Sequence, residues 1–333
     1  MKPLIKVILL LVMPIVGCRQ APTAPLKQKV LFTGEAILFS SDRDGKATNI
    51  FMMTPQGEVL KQITHFQFGK YAATAISPDS THLLFYESAD GSHIDLGGDI
   101  FIYDLKQDSI LGPFAEGNSG NFTPDGHKFV FSSHTFTLNG GYESVYIYDL
   151  LQNSQTKLTA DGNSCFSPQV SPDGRLICYQ SAQVPPRDSL SLSQLHLMDI
   201  QGNYIKPLTT QIPACYANDG VFTPDGRSII ASYNKQTWCY DIVSIDIATD
   251  SIGYITNNAF TGDPHLTSNY YKPTVSHDGT RIYFYSNTVD LRYPHPVSIY
   301  MVHPDGSQLA NKSNDNHWDS HPIVGTVTCY IEK

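Results

Sequence analysis

Near the C-terminal end of this 333-residue chain stands His317-Trp318-Asp319-Ser320-His321, two imidazoles and a carboxylate at alternate positions. On a β-strand, residues i, i+2 and i+4 share a face, so this spacing offers three ligands of the kind a divalent metal takes. A second group emerges when the repeats described below are superposed. Asp219, Lys272 and His321 then fall on equivalent positions of three neighbouring repeats, and Ala73, Ser119 and Ser167 on those of the other three. An acid, a base and an imidazole arranged in an arc suit a peptide or a small polar ligand; equally, they could satisfy one another where repeats meet. Tyr270, Asp263, His265, Arg292, Tyr293 and His295 are expected at the same mouth.

Other chemistry lacks its motif. The chain has no Gly-x-Ser-x-Gly nucleophile elbow and no phosphate-cradling Gly-x-x-x-x-Gly-Lys-Ser/Thr. Asp95 and Asp99 carry no signal that pairs them for glycoside hydrolysis. Asp42-Arg43-Asp44-Gly45 starts like a calcium loop, but the onward ligands and closing Glu are missing, so it reads as a turn. No cofactor is expected, save a divalent ion at His317, Asp319 and His321 if that trio assembles.

The elements that position these residues are fixed by a recurring turn. Ser77-Pro78-Asp79-Ser80, Thr123-Pro124-Asp125-Gly126, Ser171-Pro172-Asp173-Gly174, Thr223-Pro224-Asp225-Gly226 and Ser276-His277-Asp278-Gly279 recur with a period of about 50 residues. Proline presets the turn dihedral, Asp bonds its own backbone, and Gly accepts the conformation that follows. After each turn comes an apolar run such as Leu83-Leu84-Phe85-Tyr86 or Ile282-Tyr283-Phe284-Tyr285, then two further strand-like runs. Four short strands per repeat make one blade of a β-propeller.

Residues 36–64 supply three strands of a further unit, and Asp319 to Val324 matches the missing first strand. The expected fold is therefore an all-β, six-bladed propeller whose first blade is closed by the C-terminal strand. Val327 to Ile331 and Lys29 to Phe32 are extra apolar runs; they could pair with each other or mark a seventh blade. One domain over 36–333 accounts for the length, because propellers grow by adding blades.

The N-terminus points to a compartment. Met1 to Lys6 is basic, Val7 to Val16 is an apolar run too short to span a bilayer, and Ile15-Val16-Gly17-Cys18 ends it. This resembles a bacterial lipobox, with 1–17 as signal peptide, Cys18 lipidated, and 18–35 as Cys and short tether. The expected location is the cell envelope, lipid-anchored, outer membrane and periplasm-facing. A net charge of −9 argues against nucleic acid. Of the other cysteines, Cys215 and Cys239 fall near one end of the same blade and could pair; Cys165, Cys178 and Cys329, like them, also suit buried apolar sites.

Ile37-Leu38-Phe39-Ser40-Ser41-Asp42-Arg43-Asp44-Gly45, then Asn49 to Met53, then Leu60-Lys61-Gln62-Ile63-Thr64, resembles the repeat of TolB-type propellers, and the likeness extends over about 36 to 325. TolB carries an α/β domain before its propeller, whereas here about 17 residues separate Cys18 from the first repeat. The resemblance implies a binding scaffold for protein or peptide partners of the envelope, without chemistry of its own. The rival is a metal-dependent enzyme on an acidic saccharide, like the oligogalacturonate lyases, whose related propeller holds a divalent ion through histidines. Long connections around Asp90, His93 and Asp95, around Pro185, Pro186 and Arg187, and around Arg292 to His295 would add to the binding surface.

Overall fold

The computed structural model describes residues 29–332, except 89–96, 138–139, 161, 184–192, 210–214, 236–238, 258–265, 291–296 and 314–315. Among the described residues every regular element is a β-strand. β1 (Lys29–Ser41), β2 (Asn49–Met53) and β3 (Val59–Gln62) begin the first blade. The second holds β4 (Tyr71–Ile76), β5 (His82–Glu87), β6 (Gly98–Asp104) and the first half of β7 (Ser109–Phe122). The second half of β7 opens the third, with β8 (Lys128–Thr137), β9 (Gly140–Asp149) and β10 (Ser154–Lys157). The fourth is β11 (Asn163–Val170), β12 (Leu176–Gln183), β13 (Ser193–Asp199) and β14 (Tyr204–Pro207). The fifth is β15 (Cys215–Phe222), β16 (Ser228–Lys235), β17 (Asp241–Asp246) and β18 (Ile252–Tyr254). The sixth is β19 (Leu266–Val275), β20 (Ile282–Asp290), β21 (Ser298–Val302) and β22 (Ala310–Asn311). Finally β23 (Asp319–Glu332) returns to pair with β1.

The innermost strands β23, β4, β7, β11, β15 and β19 touch in that cyclic order and enclose a channel. Apolar burial is divided accordingly. Six buried clusters lie one between each neighbouring pair of blades, for example Leu195, Leu197, Ala217, Ile229 and Val243 between the fourth and fifth. No blade can bury both faces alone, so each junction depends on its neighbour, and closing the ring matters to all.

The turns behave as their residue types require. Ser171 Oγ donates to Asp173 Oδ1 at 2.6 Å, Asp173 accepts the Arg175 N–H at 3.1 Å, and Ser171 Oγ accepts the Leu176 N–H at 2.9 Å. Gly174 has φ +73 and sits against Pro124 of the preceding turn. The same glycine-on-proline step links Gly126 to Pro78, Gly226 to Pro172 and Gly279 to Pro224. These turns surround one end of the channel, the turn end. The second strands end, and the third strands begin, at the other, the loop end.

Two expectations are refined. The extra runs at the chain ends pair with each other, Lys29 with Glu332 through Glu35 with Thr326, so they lengthen one ribbon and form no seventh blade. Residues 29–35, expected in the tether, are strand for the same reason. Val30, Phe32, Val327, Cys329 and Ile331 pack with Tyr103 and Leu105 of the second blade, which gives the ribbon its buried side. Cys165, Cys178, Cys239 and Cys329 are free buried thiols, so the Cys215–Cys239 pairing is not made. Burial pushes the Cys178 thiol up to about 12, well outside the reactive range.

Candidate functional site

Halfway along the channel every innermost strand is broken by a β-bulge. The register slips between Ala73 and Ala75, Asn118 and Gly120, Phe166 and Gln169, Asn218 and Val221, Tyr271 and Thr274, and on the β1 side between Leu38 and Ser40. In five of the six bulges a non-glycine residue is left-handed: Ser119 (φ 47), Ser167 (φ 47), Asp219 (φ 55), Lys272 (φ 50) and His321 (φ 52). Such residues cost about 1–3 kcal/mol each and persist where the surroundings demand them, commonly at ligand sites. Three of them precede proline, Pro168, Pro273 and Pro322, which a sheet accepts at a bulge because no ladder bond is needed there. Bulges also re-aim side chains. All five residues, with Ala73, line a cavity of about 660 Å³ extending to the turn end.

The belt is asymmetric. Ala73, Ser119 and Ser167 make one side small. On the other, Lys272 Nζ lies 2.8 Å from Asp219 Oδ1, which also accepts Ser167 Oγ at 3.2 Å. His321 is 6% exposed; its ring stacks on Tyr285 with centroids 5.5 Å apart, and Nδ1 lies 3.0 Å from Ser320 Oγ. Towards the turn end, Asn121 and Gln169 line the wall among Ala75, Val221 and Ile323, with Asn121 Oδ1 accepting the Val170 N–H at 3.3 Å. The channel thus combines a charged pair, an imidazole, two amides and apolar patches. That set can bind an extended peptide or polar chain.

The sequence-derived residues are partly gathered and partly dispersed. Asp219, Lys272 and His321 line one cavity at the belt. Tyr270 does not: it is 8% exposed and packs on Phe284, centroids 4.8 Å apart, in the junction between the fifth and sixth blades. Its neighbour Tyr271 is the half-buried residue beside the belt, since consecutive strand residues face opposite sides. Asp263, His265, Arg292, Tyr293 and His295, and the segments with Asp90, His93, Asp95, Pro185, Pro186 and Arg187, lie outside the described residues, as does Cys18.

The metal trio does not assemble. Asp319, with no exposure, receives two hydrogen bonds from Arg43 Nη2, at 2.9 and 2.8 Å. His317 lies before β23 with Nδ1 3.8 Å from Asp42 Oδ1, while His321 faces the channel. The bulge at His321 breaks the alternation that would have aligned them. Among the described residues no three His, Cys, Asp or Glu side chains group as a metal site. The residues present therefore do not fit a divalent ion at this trio. Asp42 to Gly45 is a tight turn, with Gly45 N–H donating to Asp42 O at 2.8 Å, and its Arg43 is the clasp between β1 and β23.

Sequence reasoning missed this clasp and an aromatic run at the loop end. Tyr240, Tyr271, Tyr285 and His321 follow one another with centroids 5.1, 5.5 and 5.5 Å apart. Burial pushes the Tyr240 and Tyr271 hydroxyls up, so both stay protonated at neutral pH. The tandem Tyr270-Tyr271 was the available signal; which of the two faced the channel depended on the bulge.

Fold and belt together define a β-propeller with a polar central channel. No family model and no curated protein matches the sequence, but solved structures match the fold. TolB from Acinetobacter baumannii is 18% identical with TM-score 0.67; the match covers 87% of this chain and 66% of that one. A structure assigned as TolB from Agrobacterium tumefaciens is 16% identical with TM-score 0.56, over 90% and 99%. An oligogalacturonate lyase in complex with manganese is 15% identical with TM-score 0.53, over 85% and 73%. The fold is that of TolB-like propellers, and at these identities the likeness extends to fold alone. The chain spans just under two thirds of the Acinetobacter structure.

Proposed function

We propose that the chain is an envelope lipoprotein whose propeller binds protein or peptide partners through its central channel, without chemistry of its own. The observation that carries this reading is the belt: five left-handed, non-glycine polar residues at one level around a cavity of about 660 Å³. Packing alone gives no reason to hold five strained residues on a common ring, whereas polar side chains turned towards a ligand do. The TolB-like fold is consistent with protein partners in the envelope. The lyase-like alternative loses its ligand set, because Asp319 is committed to Arg43.

Lipidation at Cys18 would tether the turn end, where β1 begins at Lys29. Cys18→Ser should then release the protein from the membrane fraction, and continued membrane association would refute the anchor. For the channel, immobilised protein is compared with the Asp219→Ala/Lys272→Ala variant in capture from envelope extract. Removing both charges leaves no unpaired ion behind, so folding is spared. Loss of a captured partner in this variant, with retention in a Phe68→Ser surface control, is the expected result. Identical capture by all three proteins overturns the channel reading.

A further inference from the structure

The loop end of the channel carries a second constellation, distinct from the belt cavity. On one face of the sixth blade Tyr271 lies opposite Tyr285 and Asn269 opposite Asn287. Tyr240 of the fifth blade is held against them, its N–H donating to Asn269 Oδ1 at 3.0 Å and its ring 5.1 Å from Tyr271. All five are half-buried, neither sealed in the core nor free on the surface.

Blade packing does not call for this composition. At the place of the Tyr271–Tyr285 pair the other blades carry Ala72–Tyr86, Asn118–Ser132, Phe166–Gln180, Asn218–Ser232 and Ser320–Ser40. Only the sixth blade sets two tyrosines together. Moreover, Asn287 Oδ1 and, one residue before the belt, Asn218 Oδ1 are buried oxygens with no hydrogen-bond partner among the described residues. An unmatched buried acceptor is unfavourable, and a donor from a ligand would relieve it.

The chemistry of the occupant follows from what is offered. Both orphaned atoms are acceptors, so the ligand must bring donors. Tyrosine faces are electron-rich and take a C–H surface. Asp219, the charge that acts on Tyr240 and Tyr271, is neutralised by Lys272 at 2.8 Å, so this pair selects no ion. We propose that Tyr240, Tyr271 and Tyr285, with Asn218 and Asn287, form a binding site for a neutral saccharide ring, whose hydroxyls meet the amide oxygens while its C–H face lies on the tyrosines.

The test is saturation-transfer NMR and titration of the full chain with cellobiose, N,N′-diacetylchitobiose, digalacturonate and an uncharged hexapeptide. The expected result is binding of at least one neutral disaccharide, weakened about tenfold in Tyr271→Ala and in Asn287→Ala, the loss that removing one stacking or donor contact of ~1.4 kcal/mol produces. Tyr285→Phe keeps the ring and should keep binding, which guards against a folding artefact in the other variants. Absence of binding by both neutral sugars, preference for digalacturonate or for the peptide, or indifference to Tyr271→Ala overturns the proposal. Because the belt variant Asp219→Ala/Lys272→Ala leaves the tyrosines in place, its partner capture can fail while sugar binding survives, and the reverse.

Discussion

Removing Arg43 should destabilise the whole ring. Its guanidinium gives Asp319 two hydrogen bonds, at 2.8 and 2.9 Å, and lies 4.8 Å from the centroid of Phe39 and 5.2 Å from that of Phe51. Asp319 is the first residue of β23 and fully buried, and β23 is the strand that closes the first blade. Arg43→Ala would take the cationic partner from a fully buried carboxylate, a loss that costs about 3–5 kcal/mol. At ~2.1 cal/mol/K per residue, unfolding of a chain this size carries an entropy of about 0.7 kcal/mol/K, so the thermal midpoint should fall by about 4–7 °C. The pair itself contributes far less than its rupture costs, because both ions were desolvated to form it. Arg43→Met/Asp319→Leu should therefore recover most of the loss. Differential scanning calorimetry of wild type, Arg43→Met, Asp319→Leu and Arg43→Met/Asp319→Leu completes the cycle, with Arg43→Ala measured beside it. An Arg43→Ala midpoint within about 1 °C of wild type, or a double variant no better than Arg43→Ala, would refute the clasp.

Further outcomes follow from the turns and junctions. Burial raises the Asp79 carboxyl, but hydrogen bonds from Ser77 and Thr81 outweigh it and hold it at about 2. Asp125, Asp173, Asp225 and Asp278 are also lowered, chiefly by the Ser or Thr hydroxyl two residues before each. A depressed folded-state value gives stability that is present above the unfolded carboxylate range and lost as pH falls through the folded one. Unfolding monitored by circular dichroism should therefore set in between about pH 4 and pH 2, and Asp79→Asn should reduce that pH dependence; an unchanged acid profile would count against it. Gly202→Ala should destabilise by about 1–3 kcal/mol, since φ is +91 and the new Cβ would stand 2.7 Å from Leu158 O; denaturant titration giving less than ~0.5 kcal/mol would be contrary. Cys178 should resist alkylation in the folded protein and react only on unfolding, as its burial implies; labelling under native conditions would contradict this.

Blades and their closure were legible because the turn residues act locally. Ser171, Pro172, Asp173 and Gly174 specify their hairpin with bonds spanning five residues, and four copies of the same chemistry, with a fifth that has His277 for proline, give the period. Superposing the repeats then brought out Asp219, Lys272 and His321 as belt residues, since equivalent strand positions share a radius. What the sequence concealed was the bulge. Alternation predicts that His317, Asp319 and His321 share a face, and one extra residue at His321 undoes it. The same one-residue ambiguity exchanged Tyr270 for Tyr271. The pairing of Arg43 with Asp319 spans most of the chain and depends on ring closure, so no local signal announces it; Arg43 read as an ordinary turn residue.

The claim that the channel is the binding site is tested most directly by photocrosslinking from inside it. A benzoylphenylalanine at Gln169, on the cavity wall, is compared in envelope extract with one at Glu58, on the exposed turn of the first blade. The expected result is a specific adduct from Gln169 that disappears when Asp219→Ala/Lys272→Ala is added, with none from Glu58. Equal adducts from both positions, or a Gln169 adduct indifferent to the belt charges, would contradict the account.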